Sequence, residues 1–349
     1  MRAASRWGGD KLVGDNATVT SSTTTPAEGP GRTGASEQSR QDRTDAVLGI
    51  DLGGSSITAV RVDHDQRQVW VGRTPGANPF SSPGLAAERL AAAVAAALQS
   101  EGEPPSVSHV CLGASGAGGA GRAVLEEAMQ QACGDLGAEL ELRTDLDIAF
   151  LSGAETGSLL LSGTGAVAAR YQDTAMTARC DGMGWMLGDE GSGLWIGWQA
   201  VRAVAAALDG RGPSTALTEP VLAALDVEPT TTVDLRQELI AAVAAVRPAD
   251  LARLAPIVLN AADAVAEQIV DSATQRLLAT LAVVDAGGPI VLAGGLLAND
   301  TSLARGVRAG LPGRDLRAVS APVVGAVSLA LAAAGVTPDR TWLEAQLAA

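Results

Sequence analysis

Residues 48–60 read LGIDLGGSSITAV, and residues 159–171 read LLLSGTGAVAARY. Each stretch is an apolar run long enough for a buried strand, then a glycine and hydroxyl turn, then a returning strand. The same strand–turn–strand unit recurs about a hundred residues apart. That spacing implies an internal duplication: two related α/β lobes facing a cleft.

Working outward, strands are expected at 46–51, 56–62 and 68–74, then a helix over 81–100 capped by Ser81 or Ser82. A buried strand at 107–114, a helix ending near Cys133 and a strand at 138–145 close the first half. The second half continues through a glycine-rich loop at 181–193, a helix starting near Ser192 and a helical region from about 213 to 283. A strand and turn at 288–297 and helices within 322–347 complete it. The polar, Ser/Thr/Gly-rich residues 1–44 bury too little to offset ordering entropy and are expected to be a disordered tail. The domains expected are therefore an N-terminal lobe at 45–152, joined by the final helix 337–349, and a C-terminal lobe at 153–336.

Composition narrows the chemistry. The 349-residue chain carries 25 Lys+Arg against 39 Asp+Glu, a formal charge of −14, which argues against wrapping a nucleic acid. Its single lysine, Lys11, lies in the tail, so the P-loop lysine and the protein-kinase strand lysine have no counterpart in the folded part. Two histidines, His64 and His109, stand outside any zinc-binding pattern. Cys111, Cys133 and Cys180 have no CxxC pairing and read as small buried hydrophobes of a reducing compartment. There is neither an apolar run of membrane-spanning length nor a signal peptide, so a cytoplasmic protein is expected. What abounds is glycine, aspartate and hydroxyls; an enzyme built this way works with carboxylates, backbone amides and a metal ion.

Several segments supply such groups. In IDLGGSSITAV (50–60), amides freed by Gly53 and Gly54, with the Ser55 hydroxyl, suit a phosphate, and Asp51 suits a hydrated Mg²⁺; a plain hairpin fits the same residues. LSGTG (161–165) offers a second such turn through Gly163, Thr164 and Gly165. In LAGGLL (292–297), Gly294 and Gly295 would let backbone lie against adenine or ribose, or simply make a tight strand-to-helix turn. Asp145 ends a strand in ELRTD, placed either to accept a hydroxyl proton or to cap a helix starting near Leu146. DGMGWMLGDEGSGLWIG (181–197) packs six glycines around Asp189, Glu190 and two tryptophans, a combination that marks a functional loop. Ser115 and Gly116 in GASGAGGAGR (113–122), and Asn78 in GANPF (76–80), are further polar candidates in turns.

Taken in order, GIDLGGSS, NP, ASGAG, RTD, LSGTG, GWMLGDEGSGLWIG and LAGGLL make the chain resemble the BadF/BadG/BcrA/BcrD-type ATPases over about residues 46–335. Within them it is similar to the N-acetylglucosamine kinase group of the actin/sugar-kinase/heat-shock-ATPase superfamily. The resemblance implies two ribonuclease-H-like, actin-like ATPase lobes flanking a nucleotide and sugar cleft. It implies ATP and Mg²⁺ as cofactors and phosphoryl transfer to the 6-hydroxyl of N-acetylglucosamine. Carried across, Gly53, Gly54 and Ser55 match the first phosphate loop, Asp51 the metal acid acting through water, and Gly163, Thr164 and Gly165 the second phosphate loop. Gly294 and Gly295 match the adenosine motif, Asp145 the catalytic base, and Asn78, Ser115, Gly116, Asp145 and Asp189 the sugar contacts. Val167 stands where kinases of the group place an asparagine near the sugar, which keeps glucosamine or another amino sugar or hexose open. Two other activities stay open: an ATPase that activates a 2-hydroxyacyl-CoA dehydratase through an iron–sulfur cluster, and a non-catalytic sugar sensor. The partner expected is a small sugar, with neither nucleic acid nor membrane and with a homodimer left open.

Overall fold

A computed structural model describes residues 45–54, 56–63, 68–77, 85–99, 105–119, 121–228 and 234–348. The tail 1–44, Ser55, Asn78, His64 and both candidate caps Ser81 and Ser82 lie outside the described residues.

The first sheet consists of β1 (Asp45–Leu52), β2 (Ser56–Asp63), β3 (Gln68–Pro75), β4 (Ser106–Ala114) and β5 (Glu139–Thr144) in the order β3-β2-β1-β4-β5. The second consists of β6 (Gly157–Ser162), β7 (Ala166–Gln172), β8 (Ala175–Asp181), β9 (Ile290–Ala293) and β10 (Leu316–Val319). Its order, β8-β7-β6-β9-β10, repeats the first. In each, the opening strand pairs antiparallel with the next and parallel with the fourth. The duplication read from the two 13-residue stretches is thus a duplication of whole sheets.

The helices are α1 (Ala86–Ala97), α2 (Arg122–Cys133), α3 (Asp145–Gly153), α4 (Gly193–Leu208), α5 (Thr218–Ala224) and α6 (Leu235–Ala245). They continue as α7 (Ala255–Leu259), α8 (Ala264–Val284), α9 (Gly295–Ala298), α10 (Ser302–Ala309), α11 (Val323–Ala333) and α12 (Arg340–Ala348). The helical region expected from about 213 to 283 consists of several helices, divided where the local chemistry demands it. Asp234 and Asp263 cap new helices by accepting the Arg236 and the Val265 and Ala266 N–H groups, and Pro248 and Pro256 occupy first-turn positions. Two strands escaped the sequence reading: β8, an edge strand with mostly exposed residues, and the four-residue β10.

One domain boundary also shifts. Residues 322–336 were expected in the C-terminal lobe, but α11 packs on the first sheet, where Val323, Val324, Val327 and Ala330 meet Val47, Val60, Val62 and Cys111. The chain therefore returns to the first sheet near 322 rather than at 337. The reason is that α11 is apolar all round, so it must be covered on both sides. Its second cover is α3. A Cβ on Gly325 would lie 2.0 Å from the Ile148 carbonyl oxygen, so only glycine permits this crossing. There the buried Ser152 hydroxyl accepts the Gly325 N–H (3.0 Å) and donates to the Ile148 carbonyl (2.8 Å). The other face of α3 sends Phe150 and Leu151 against Leu159, Tyr171 and Val291 of the second sheet. Hence α3 and α11 form a layer between the sheets.

Candidate active site

The carboxyl ends of β1, β4 and β5 lie side by side, the edge at which sheets of this kind bind ligands. Asp51 leaves β1 opposite Thr58, and the turn that follows is closed by the Gly53 N–H donating to the Ser56 carbonyl at 2.9 Å. Burial, reinforced by the charge of Asp145, pushes the Asp51 carboxyl up to about 7. Asp145 opens α3 but does not cap it. The cap is Thr144, whose hydroxyl accepts the Asp147 N–H at 3.1 Å while Asp147 Oδ2 accepts the Thr144 N–H at 3.1 Å. This reciprocal pair leaves Asp145 free of capping duty, its carboxylate accepting the Leu146 N–H (Oδ1, 3.1 Å) and its own backbone N–H. Its carboxyl is raised by burial against the pull of the first-turn amides. Two partly desolvated acids thus lie at the end of the first sheet, near enough for the charge of Asp145 to act on Asp51.

Ser115 follows β4, its N–H donating to the Leu52 carbonyl at 3.4 Å. Its hydroxyl is buried and lacks a hydrogen-bond partner among the described residues, a group that a ligand hydroxyl would satisfy. Gly116 beside it has φ 87°.

The second turn is built differently. The Gly163 N–H donates to the Gly165 carbonyl at 2.9 Å, and the 181–193 loop is laced to this turn. The Ser162 hydroxyl donates to the Gly191 carbonyl (3.0 Å), the Gly193 N–H to the Gly163 carbonyl (2.8 Å) and the Leu194 N–H to the Thr164 carbonyl (3.3 Å). The Ala166 N–H donates to Asp189 Oδ1 at 3.3 Å. Asp189 itself is held in the left-handed region (φ 55°), because Asp181 accepts the N–H groups of Asp189 (2.7 Å) and Glu190 (2.9 Å). Burial raises the Asp189 carboxyl too. Sequence reasoning missed Asp181; its only signal was its place at the head of the glycine-rich stretch. The start of α4 falls as expected, with Ser192 capping it by accepting the Trp195 N–H at 3.1 Å.

Gly294 backs this turn. A Cβ there would stand 2.4 Å from the Ser162 carbonyl oxygen, and φ is 81°, so the position requires glycine. At Gly295 a Cβ would meet nothing within 4 Å. The structure therefore gathers Asp51, Asp145 and Ser115 in one group, and Gly163–Gly165, Asp189 and Gly294 in another. Among the described residues no hydrogen bond links Asp189 to Asp51, Asp145 or Ser115. Ser55 and Asn78 are outside the described residues. The cysteines do not suit a cluster bridging two subunits: Cys111 and Cys133 are buried in the first lobe, and burial pushes the Cys133 thiol up to about 11 and that of Cys111 further.

The family model for the BadF/BadG/BcrA/BcrD ATPases matches residues 48–330, most of the described chain. The chain belongs to this family. Among its relatives is an N-acetyl-D-glucosamine kinase of Dictyostelium discoideum, 26% identical over 192 residues, covering 52% of this chain and 60% of the relative. An N-acetylmuramic acid/N-acetylglucosamine kinase of Clostridium acetobutylicum is 33% identical over 117 residues, covering 33% of this chain and 38% of the relative. The aligned stretches thus span less than two thirds of either curated relative. A crystal structure of a candidate N-acetylglucosamine kinase from Chromobacterium violaceum matches with a TM-score of 0.66 at 26% identity, covering 82% of this chain and 98% of that one. Among the described residues of this family member, no helix is long and apolar enough to cross a membrane.

Proposed function

We propose that this member of the family is an ATP-dependent sugar kinase that phosphorylates the 6-hydroxyl of N-acetylglucosamine, with Asp145 as general base. The observation that carries the reading is the Asp145 carboxylate, relieved of capping by Thr144 and Asp147, partly desolvated, and near enough to Asp51 to act on its charge at the carboxyl edge of the first sheet. The ionised form of a carboxyl raised by burial is a stronger base than that of a solvated one, and such help is typically worth ~10²–10⁴ in rate. The kinase names of the relatives support the same class.

In this reading Asp145 accepts the proton of the 6-hydroxyl, while Ser115, the Gly116 amide, Asn78 and Asp189 orient the sugar. The Gly54 and Gly165 amides, in turns closed by the Gly53 and Gly163 N–H groups, and the Ser55 and Thr164 hydroxyls hold the phosphates; Gly294 and Gly295 bring backbone against the adenosine. Among the described residues no three His, Cys, Asp or Glu side chains gather as a metal cage. Asp51 instead suits Mg²⁺, which takes one or two carboxylates and fills its shell with water and phosphate oxygens. A cation there would also relieve the repulsion between Asp51 and Asp145. Bound Mg·ATP supplies the transferable phosphoryl group and neutralises its charge.

The test is a coupled ADP-release assay with N-acetylglucosamine, glucosamine, N-acetylmannosamine, N-acetylmuramic acid and glucose. N-acetylglucosamine should give the highest kcat/KM. A preference for glucosamine would move the substrate and keep the enzyme class, in keeping with the apolar Val167. Sugar binding without ADP release would make the protein a sensor and overturn the kinase.

A further inference from the structure

The chain has a single tyrosine, Tyr171, on β7 of the second sheet. Its ring is wholly buried and stacks on Phe150 of α3, with centroids 4.2 Å apart and planes 7° from parallel. Its hydroxyl crosses to the first turn of α3 and donates to Asp147 Oδ1 at 2.9 Å. Asp147 Oδ2 is the oxygen that accepts the Thr144 N–H. One carboxylate thus joins the cap of α3 on one side to the second sheet on the other, two residues from Asp145. Burial and the neighbouring Asp147 push the phenol well above its usual range, so it stays a donor at every working pH.

We propose that Tyr171 and Asp147 are positioning residues that lock the first turn of α3 against the second sheet and so fix where the Asp145 carboxylate points. A capping box alone secures the helix start to its own strand, β5. Beside the packing of Leu146 and Phe150, the phenol adds a directional restraint that refers this start to the second lobe, whose 163–165 turn is assigned a phosphate. This hydrogen bond then fixes the register that the packing allows between base and phosphate turn, and a small misplacement of a catalytic group is costly in rate without being costly in binding. This inference rests on the reading of Asp145 as the base.

The experiment uses the full chain and the ADP-release assay. Tyr171→Phe keeps the stack and removes only the hydroxyl. It should lower kcat about tenfold, with KM for sugar and ATP within about twofold of wild type. Phe150→Leu weakens the stack and leaves the hydroxyl; it should lower Tm more than Tyr171→Phe does, with kcat nearly unchanged. In an Asp145→Asn background, Tyr171→Phe should add no further loss, because the residue it positions is gone. Asp147→Asn, which weakens both hydrogen bonds, should repeat the Tyr171→Phe pattern and serves if that variant does not fold. Wild-type kcat in Tyr171→Phe, a loss confined to KM, or an equal further loss in the Asp145→Asn background overturns the relay. Near-wild-type turnover of Asp145→Asn alone overturns the base assignment instead.

Discussion

The two glycine turns occupy the same place in the same topology, yet they have opposite characters. Aligning 48–60 with 159–171 sets Asp51 against Ser162. Asp51 is a carboxyl lifted to about 7 by burial and by Asp145, an unresolved electrostatic tension. Ser162 is fully buried, its hydroxyl spent on the Gly191 carbonyl at 3.0 Å. The helices that follow the fifth strand of each half diverge in the same sense: α3 opens with Asp145, α11 with Val323. At the duplicated turn one copy thus carries a carboxyl at its strand end, and the other is a backbone frame stiffened by the 181–193 loop, which brings in Asp189. A duplicated fold can divide its labour this way because each copy only has to be competent in half of the site.

The comparison breaks most visibly at Asp145. Asp145→Asn should reduce kcat at least a hundredfold while sugar affinity, read by calorimetry, stays within about threefold. The wild-type kcat/KM profile should rise with pH along a limb above the usual carboxylate range, since burial raises Asp145 and only its ionised form accepts a proton; a limb near pH 4 would contradict a desolvated base.

At the frame, Gly294→Ala forces a Cβ onto the Ser162 carbonyl and should raise KM for ATP about tenfold with a fall in Tm, whereas Gly295→Ala, with open space around it, should change KM less than twofold. Equal effects would mean that the frame does not depend on that close approach.

Stability sharpens the contrast further. The Asp51 carboxyl titrates near 7 when folded and near 4 when unfolded, so the folded state keeps a proton that the unfolded state has released. Its contribution is present at low pH and is lost as pH rises from about 4 through about 7. The ligand-free protein should lose Tm over that window, and Asp51→Asn should flatten the slope and raise Tm at pH 8 while lowering activity. Ser162→Ala should do the reverse: it costs about 1 kcal/mol, roughly 2 °C in Tm, at every pH.

Much of this was legible because the duplicated unit writes its strands as apolar runs and its turns as glycines. Asp51, Asp145, Gly163 and Gly294 could all be placed at the ends of strands from local pattern alone. The capping role of Thr144 was within reach too, since TDLD carries a hydroxyl three residues before an acid. Less visible were relations that depend on long-range packing. Nothing local to Tyr171 announces that its hydroxyl reaches Asp147, and nothing local to Asp181 says that it holds Asp189. The return of α11 to the first sheet is likewise a fact about what covers an all-apolar helix, which no local period encodes.

Ser152 sits where the middle helices cross, touching both with one oxygen. A rotation of one sheet against the other that preserves this contact turns about it like an axle. Asp145 lies seven residues up the same helix, about 10 Å away by helical rise. The outer strands β3 and β8 sit two strand spacings beyond the opening strands and swing through the widest arc. Asp145, the proposed base, therefore lies near that hub, and a rotation of this kind would disturb its aim least.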